Sequence, residues 1–327
     1  MHRFKFKGLR VCYVKSFKRG VYMETVLKRK IKVGISECCF GSKVRYNGKG
    51  FDYVKNFGRE KEQFIFYPLC PECLAGLGVP RTPISIKGGS GEDVLQGTAK
   101  IKNRKGEDVT DKLIKACEYS LELLKREGIY IYMYKEGSPS CGVYRTTLKD
   151  KRLGNPPGIF GAMLLNEGFF LVCADDLESP IKRWDIVRRV NAFTWIKEAE
   201  IENKNQLYEV WHIVKFLCQE LDEKTSRSLG HELSILDNIQ KEDIEKYRKT
   251  ILEIIRKPST LKKIKGWMWK NYSYYRKNKG IELDIVKEPT DLRSNTILAE
   301  ELIKLEIKLY GEGYSFGSSP ILNRAKK

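Results

Sequence analysis

The chain has 327 residues, 41% of them hydrophobic, with 61 Lys and Arg against 42 Asp and Glu for a formal net charge of +19. That length is sized for two domains at ~100–200 residues each, and the composition is globular rather than disordered or fibrous. No apolar run reaches the ~18 residues of a membrane helix, and so large a positive surplus points to an acidic partner, most often nucleic acid.

Nine cysteines in a chain of this length, with no signal-peptide pattern at its start, do not read as a secreted disulfide framework, so a reducing cytoplasm is expected. The histidines are His2, His212 and His231. None lies near a cysteine motif, which argues against a mixed Cys/His zinc site.

Residues 1–32 form a basic arm in which Arg3, Lys5, Lys7, Arg10 and Lys15 alternate with Phe4, Phe6, Tyr13 and Phe17. Such an arm is suited to lie along phosphates while its rings stack on bases, and equally to form a small β-ribbon with its charges in water. Three short apolar runs then read as buried strands: Lys32 to Ile35, Phe64 to Tyr67 and Ile129 to Met133. Each runs into a cysteine-bearing turn: Ser36-Glu37-Cys38-Cys39, Leu69-Cys70-Pro71-Glu72-Cys73 and Ser138-Pro139-Ser140-Cys141-Gly142. In open α/β sheets ligands sit outside the carboxyl ends of the strands, so three such cysteines are placed to share one cofactor. Three thiolates suit an iron–sulfur cluster with one iron left open.

Between these runs, Lys87 to Asp93 reads as a hairpin loop, lacking the G-x-x-x-x-G-K-[ST] spacing of a phosphate loop. Asp108 opens a helix whose stripe is Val109, Leu113, Ile114, Cys117, Leu121 and Leu124, and Gly128 ends it. Cys117 on that stripe is a core residue, as is Cys173 at the end of a fourth strand, Phe169 to Cys173, which follows a helix over Ile159 to Asn166. Helix alternating with strand predicts an α/β fold: a mainly parallel sheet with flanking helices over 33–180. From about Lys182 the pattern is mostly α-helical, with helices predicted over Trp195–Leu221, Glu232–Arg256 and Asn295–Tyr310.

The stretch from about Val33 to about Pro180 resembles the thiouracil desulfidase family. The resemblance is carried by Ile35-Ser36-x-Cys38, Lys43-Val44-Arg45-Tyr46-x-Gly48, Cys70-Pro71-Glu72-x-x-Ala75-Gly76-Leu77-Gly78-x-Pro80-Arg81, Gly106-Glu107-Asp108-Val109-Thr110 and Ser138-Pro139-Ser140-Cys141-Gly142. It implies a [4Fe-4S] cluster held by Cys38, Cys70 and Cys141 with no protein ligand on the fourth iron, which takes the sulfur of a thiocarbonyl. It also implies catalytic assistance from Glu72 and Ser138. The chemistry is consistent with those roles: soft iron prefers sulfur, a carboxylate is suited to activate water and move its proton, and no electron donor is needed for C=S to C=O exchange. Arg45 and Ser140 are candidate substrate contacts. The structural alternative for Glu72 is to pair with an arginine such as Arg81.

Two departures from the family pattern, Cys39 and Cys73, make two close cysteine pairs and leave structural zinc as the rival metal. In the C-terminal region, residues 181–327, the stretch Arg256 to Lys279 sets Lys262, Lys263, Lys265 and Lys270 beside Trp267 and Trp269. Cations interleaved with aromatics suit RNA, or else an amphipathic helix with its rings in a core. The expected activity is iron–sulfur-dependent removal of sulfur from a thiolated pyrimidine, with thiouridine in tRNA preferred to free thiouracil. The alternative is a noncatalytic RNA-binding protein with a structural zinc or cluster. No membrane and no protein partner are expected.

Overall fold

The computed structural model describes residues 23–148, 151–236 and 239–325, so most of the predicted basic arm, residues 1–22, lies outside the described residues. The chain divides into two compact units, one of Leu27–Val190 with Asn323–Lys327, the other of Met1–Val26 with Asn191–Leu322.

The elements begin with β1 (Val26–Leu27), β2 (Ile31–Ser36), β3 (Phe64–Leu69), α1 (Pro71–Leu74), β4 (Ile84–Lys87), α2 (Gly91–Leu95), β5 (Lys100–Asn103) and α3 (Thr110–Arg126). They continue with β6 (Ile131–Tyr134), β7 (Thr147–Leu148), β8 (Lys151–Arg152), α4 (Ile159–Asn166) and β9 (Phe170–Cys173). Helices α5 (Pro180–Glu198), α6 (Lys204–Leu221), α7 (Glu223–Ile235), α8 (Lys241–Arg256), α9 (Leu261–Lys279) and α10 (Asn295–Gly311) follow, and β10 (Leu322–Asn323) pairs with β1.

The central sheet is parallel throughout, in the order β3-β2-β6-β9. Its first strand in the chain, β2, has the second on one side and the third on the other. The order therefore reverses between β2 and β6, and the crevice beyond their carboxyl ends is where open α/β sheets bind ligands. Buried parallel strands are apolar on both faces. Ile31, Val33 and Ile35 of β2 and all four residues of β6 are accordingly buried. Leu113, Cys117 and Leu124 of α3 join Ile159, Phe160 and Leu164 of α4 and Tyr132 and Tyr134 in one core. Gly34 is where α3 and β6 close on β2: a Cβ there would stand 2.7 Å from both Leu124 and Tyr132 side-chain carbons.

Local details differ from the sequence reading where side-chain hydrogen bonds redirect the backbone. The Asp108 helix begins at Thr110, because the Asp108 carboxylate accepts from the Thr110 amide at 3.0 Å and its hydroxyl at 2.5 Å in a turn before the helix. The Lys87–Asp93 stretch does lie between antiparallel β4 and β5. It is more than a loop, since Ser90 and Asp93 form a reciprocal capping box that starts α2. The helix predicted over Trp195–Leu221 is two, α5 and α6, with Asn203 capping the second through the Gln206 amide at 3.0 Å. The one predicted over Glu232–Arg256 likewise breaks, between α7 and α8.

On α5, Asp185 is clasped by Arg188 at 2.6 Å and Arg189 at 2.8 Å, with none of the three side chains more than 6% exposed. Burial by itself would raise the Asp185 carboxyl, but the Arg189 and Arg188 guanidiniums win and hold it below the usual carboxylate range.

Gly34→Ala is expected to cost about 1–3 kcal/mol through overpacking, read as a lowered urea midpoint. Asp185→Asn, which removes the buried negative charge between two guanidiniums, is expected to cost about 3–5 kcal/mol at neutral pH. A depressed carboxyl contributes stability that is present above its unfolded value of ~3.9 and lost as pH falls through its folded value. The gap between Asp185→Asn and the parent protein in denaturant titrations should therefore narrow as the pH drops below about 4.

Candidate active site

The three cysteine turns meet. A cavity of about 430 Å³ at the carboxyl edge of the sheet is lined by Cys38 beyond β2, Cys70 beyond β3 and Cys141 beyond β6, together with Glu72 and Ser138. Its volume lies in the ~300–1,000 Å³ range of ligand pockets. Of the nine cysteines, Cys39 and Cys73 also sit in these turns but do not line it.

Each turn is fixed by a different device. After β2, Glu37–Cys39 form one 3-10 turn, and the amides of Phe51 and Tyr53 bond back to the Cys38 and Cys39 carbonyls at 2.6 and 3.0 Å. After β3, Cys70 is the N-cap of α1 with Pro71 in the first helical position, which directs Glu72 inward. After β6, the Ser138 hydroxyl accepts from the amides of Ser140 at 3.2 Å and Cys141 at 3.1 Å. The carbonyls of Pro139 and Ser140 then satisfy the first amides of α4, from Ile159 to Gly161, at 2.9–3.1 Å. Gly158 and Gly142 permit that approach: a Cβ on Gly158 would meet the Pro139 carbonyl at 2.6 Å, and one on Gly142 the Ser138 carbonyl at 2.5 Å. Glu136 completes the turn by accepting from the amides of Val143, Tyr144 and Arg145 at 3.0–3.3 Å.

Glu72 is 8% exposed, and its two oxygens have separate partners. Oε2 takes Arg81 through Nη2 at 2.6 Å and Nε at 2.8 Å. Arg81 is in turn tied to the carbonyls of Val44 at 2.8 Å and Gly78 at 3.1 Å. The arginine pairing weighed from the sequence is thus present, yet it uses one oxygen and leaves the other toward the serines. Oε1 accepts a short hydrogen bond from fully buried Ser140, while Ser138 Oγ stands 3.0 Å from Ser140 Oγ and 3.5 Å from Glu72.

The thiols differ in their surroundings. A hydrogen bond from Cys39 lowers Cys38, aided by the charges of Arg45 and Lys135 against the opposing effect of burial. Cys39 itself is pushed up by that hydrogen bond and by burial. Burial pushes Cys141 up to about 12, and burial with the nearby Glu72 charge raises Cys70 as well. Among the described residues no three His, Cys, Asp or Glu side chains are grouped to hold a single metal ion.

Arg45 lines the cavity and stacks over Phe51 at 5.0 Å. Lys135, which the sequence reading did not single out, also lines it. It bonds to the Tyr53 hydroxyl at 2.9 Å and to Asp175, and Tyr53 in turn donates to Asp175 at 2.6 Å. Arg104 and Lys151 line the cavity too and have no ion-pair partner among the described residues. The other predicted contacts lie on α9 in the second unit. There Ile264, Met268, Tyr272 and Tyr275 form the buried face. Trp267 and Trp269 are half-buried, Lys265 is intermediate, and Lys262, Lys263 and Lys270 are exposed. Lys263 donates to the Leu221 carbonyl at 2.9 Å, and Lys270 stands 4.7 Å from the Trp267 ring centre.

Residues 33–176 match a family model described as 2-thiouracil desulfurase. The uncharacterized protein YbbK of Bacillus subtilis (strain 168) is 35% identical to this chain over 148 residues, which is 44% of this chain and 95% of YbbK. A solved structure, the [4Fe-4S]-dependent thiouracil desulfidase TudS, is 29% identical over 46% of this chain and 94% of its own, with a TM-score of 0.37. The family match takes in all but the first two residues of the parallel sheet and all three cysteine turns, and YbbK is matched over nearly its entire length, so through this region the chain belongs to the 2-thiouracil desulfurase family.

Proposed function

We propose that the first unit holds a [4Fe-4S] cluster through Cys38, Cys70 and Cys141 and exchanges the C=S of a thiolated pyrimidine for C=O. The observation that carries this reading is the convergence of three thiols from three strand ends on one cavity with Glu72 among them. The donor set fits the group: three soft ligands suit iron and sulfide, and among the described residues the cavity lining offers no fourth cysteine. When bound, such a cluster supplies an iron without a protein ligand, a soft Lewis acid matched to thiocarbonyl sulfur.

The protein's own groups account for the rest. Arg81 occupies Glu72 Oε2 and fixes the carboxylate plane, which leaves Oε1 to take a proton from water attacking the ring carbon. Ser140 holds Oε1 in place, and Ser138 orients the substrate from the same turn. Water and thiocarbonyl give carbonyl and hydrogen sulfide, so the exchange balances without electrons. The substrate in this reading is a thiouridine within RNA, tRNA in preference to free thiouracil. The net charge of +19 supports it, as do Arg45, Arg104 and Lys151 at the cavity for phosphates and the lysines of α9 in an RNA-binding second unit.

Anaerobic purification with iron, sulfide and zinc analysis tests the cofactor. About four irons per chain are expected, lost in Cys38→Ala, Cys70→Ala and Cys141→Ala and kept in Cys39→Ala and Cys73→Ala. Stoichiometric zinc without iron after reconstitution would overturn the reading in favour of a noncatalytic zinc protein. Glu72→Gln is expected to lower turnover of 4-thiouridine tRNA by about 10²–10⁴-fold with iron content and RNA binding unchanged. Arg81→Lys, which keeps the charge but loses the fork, should lower kcat more than it changes KM. Equal kcat/KM for tRNA and free 2-thiouracil would remove the RNA preference.

A further inference from the structure

The second unit has a cavity of its own, about 380 Å³, also in the ~300–1,000 Å³ range of ligand sites. We propose that it receives one unstacked base of a single-stranded RNA. Aromatic rings contribute to its walls: half-buried Phe216 of α6 and Tyr314 after α10, with buried Tyr275 of α9 and Phe316 and with Tyr310 of α10. Any base gains from stacking on such rings.

Cations stand at the same rings, where flanking phosphates would meet them. Lys215 Nζ is 5.0 Å from the Phe216 centroid and Lys279 Nζ 5.5 Å from that of Tyr314. Lys270 stands over Trp267, whose ring packs 6.1 Å from Phe216.

The polar lining includes Asn271 and His212 beside Thr25, Glu306, Tyr310, Ser315 and Ser319, and the first two supply an acceptor and a donor. Asn271 gives its Nδ2 to the Trp267 carbonyl at 2.7 Å, which leaves Oδ1 as an acceptor. A lysine ammonium only donates, so the 3.2 Å contact of Lys215 with His212 Nδ1 puts the ring proton on Nε2, a donor. Burial and the Lys215 charge favour that neutral ring. An acceptor and a donor on the lining that the rings share complement the edge of a base that offers both, as splayed single-stranded bases do. Gly317 lets the segment after α10 close on this site: a Cβ there would stand 2.8 Å from Asn271 Oδ1 and 3.2 Å from Phe216.

The proposal rests on the nucleic-acid reading of the second unit, and one experiment separates the two. Anisotropy titrations of the full chain would use a labelled single-stranded RNA of about ten nucleotides and its abasic counterpart, over a salt series. Asn271→Ala and Tyr314→Ala are each expected to weaken binding of the RNA about 5–100-fold, to leave the salt slope unchanged, and to have no effect on the abasic strand. Salt-dependent binding that ignores both substitutions, or equal affinity for the abasic strand, overturns the base site and leaves the charge-based reading standing. No binding of either strand overturns both. Photo-crosslinking of the unaltered protein to RNA carrying 5-iodouridine gives a readout independent of variant folding. Crosslinks to Tyr314, Phe316 or Phe216 support the site, and crosslinks confined to other segments overturn it.

Discussion

Parallel strands deliver all their carboxyl ends to one edge, and that constraint organises the first unit. Cys38, Cys70 and Cys141 are scattered over about a hundred residues of chain, yet β2, β3 and β6 end side by side. The reversal of strand order between β2 and β6 opens a crevice there, and the turns that fill it carry the reactive groups. Nothing in the cysteine side chains themselves brings them together. The buried apolar strands and the close packing at Gly34 do so, which makes the sheet core a precondition of the site.

Within the crevice, the dominant interaction is the ion pair of Glu72 with Arg81. A buried carboxylate without a partner is costly, and a single buried pair offsets its desolvation only with good geometry and further hydrogen bonds. Here the guanidinium meets one oxygen through two nitrogens and spends its remaining donor on backbone carbonyls, while two serines face the other oxygen. The result is an asymmetric carboxylate, anchored on one side and available on the other. The turn bearing those serines is itself held by α4, whose first amides it caps, so the setting of the carboxylate's serine partners and helix initiation depend on the same turn.

The second unit shows how a charge excess and a core can occupy one helix. On α9 the aromatics divide: Tyr272 and Tyr275 are buried, while Trp267 and Trp269 stay half-buried with cations over their rings. Core packing is therefore realised on one face of this helix, and the half-buried tryptophans with cations over their rings flank that face. Lys263 shows that a lysine in such a run can also serve structure, since it satisfies the exposed carbonyl end of α6.

What the sequence by itself determined is local. Apolar runs ending in cysteine turns, a helix stripe closed by Gly128, and the bounds of α4 at Ile159 and Asn166 follow from periodicity and from residues with restricted backbone choices. Helix breaks at Asn203 and Gln240 were masked because apolar spacing continues across them, although the capping residues were there to be read. The tertiary structure alone decided the partnerships. Ser140 reaches Glu72 across 68 positions, Lys135 reaches Tyr53 across 82 and Asp175 across 40. It also puts Cys38, Cys70 and Cys141, the three that the family resemblance singles out, on the cavity lining and leaves Cys39 and Cys73 off it. Side-chain direction at a strand end depends on how neighbouring turns pack, and no spacing within one segment encodes that.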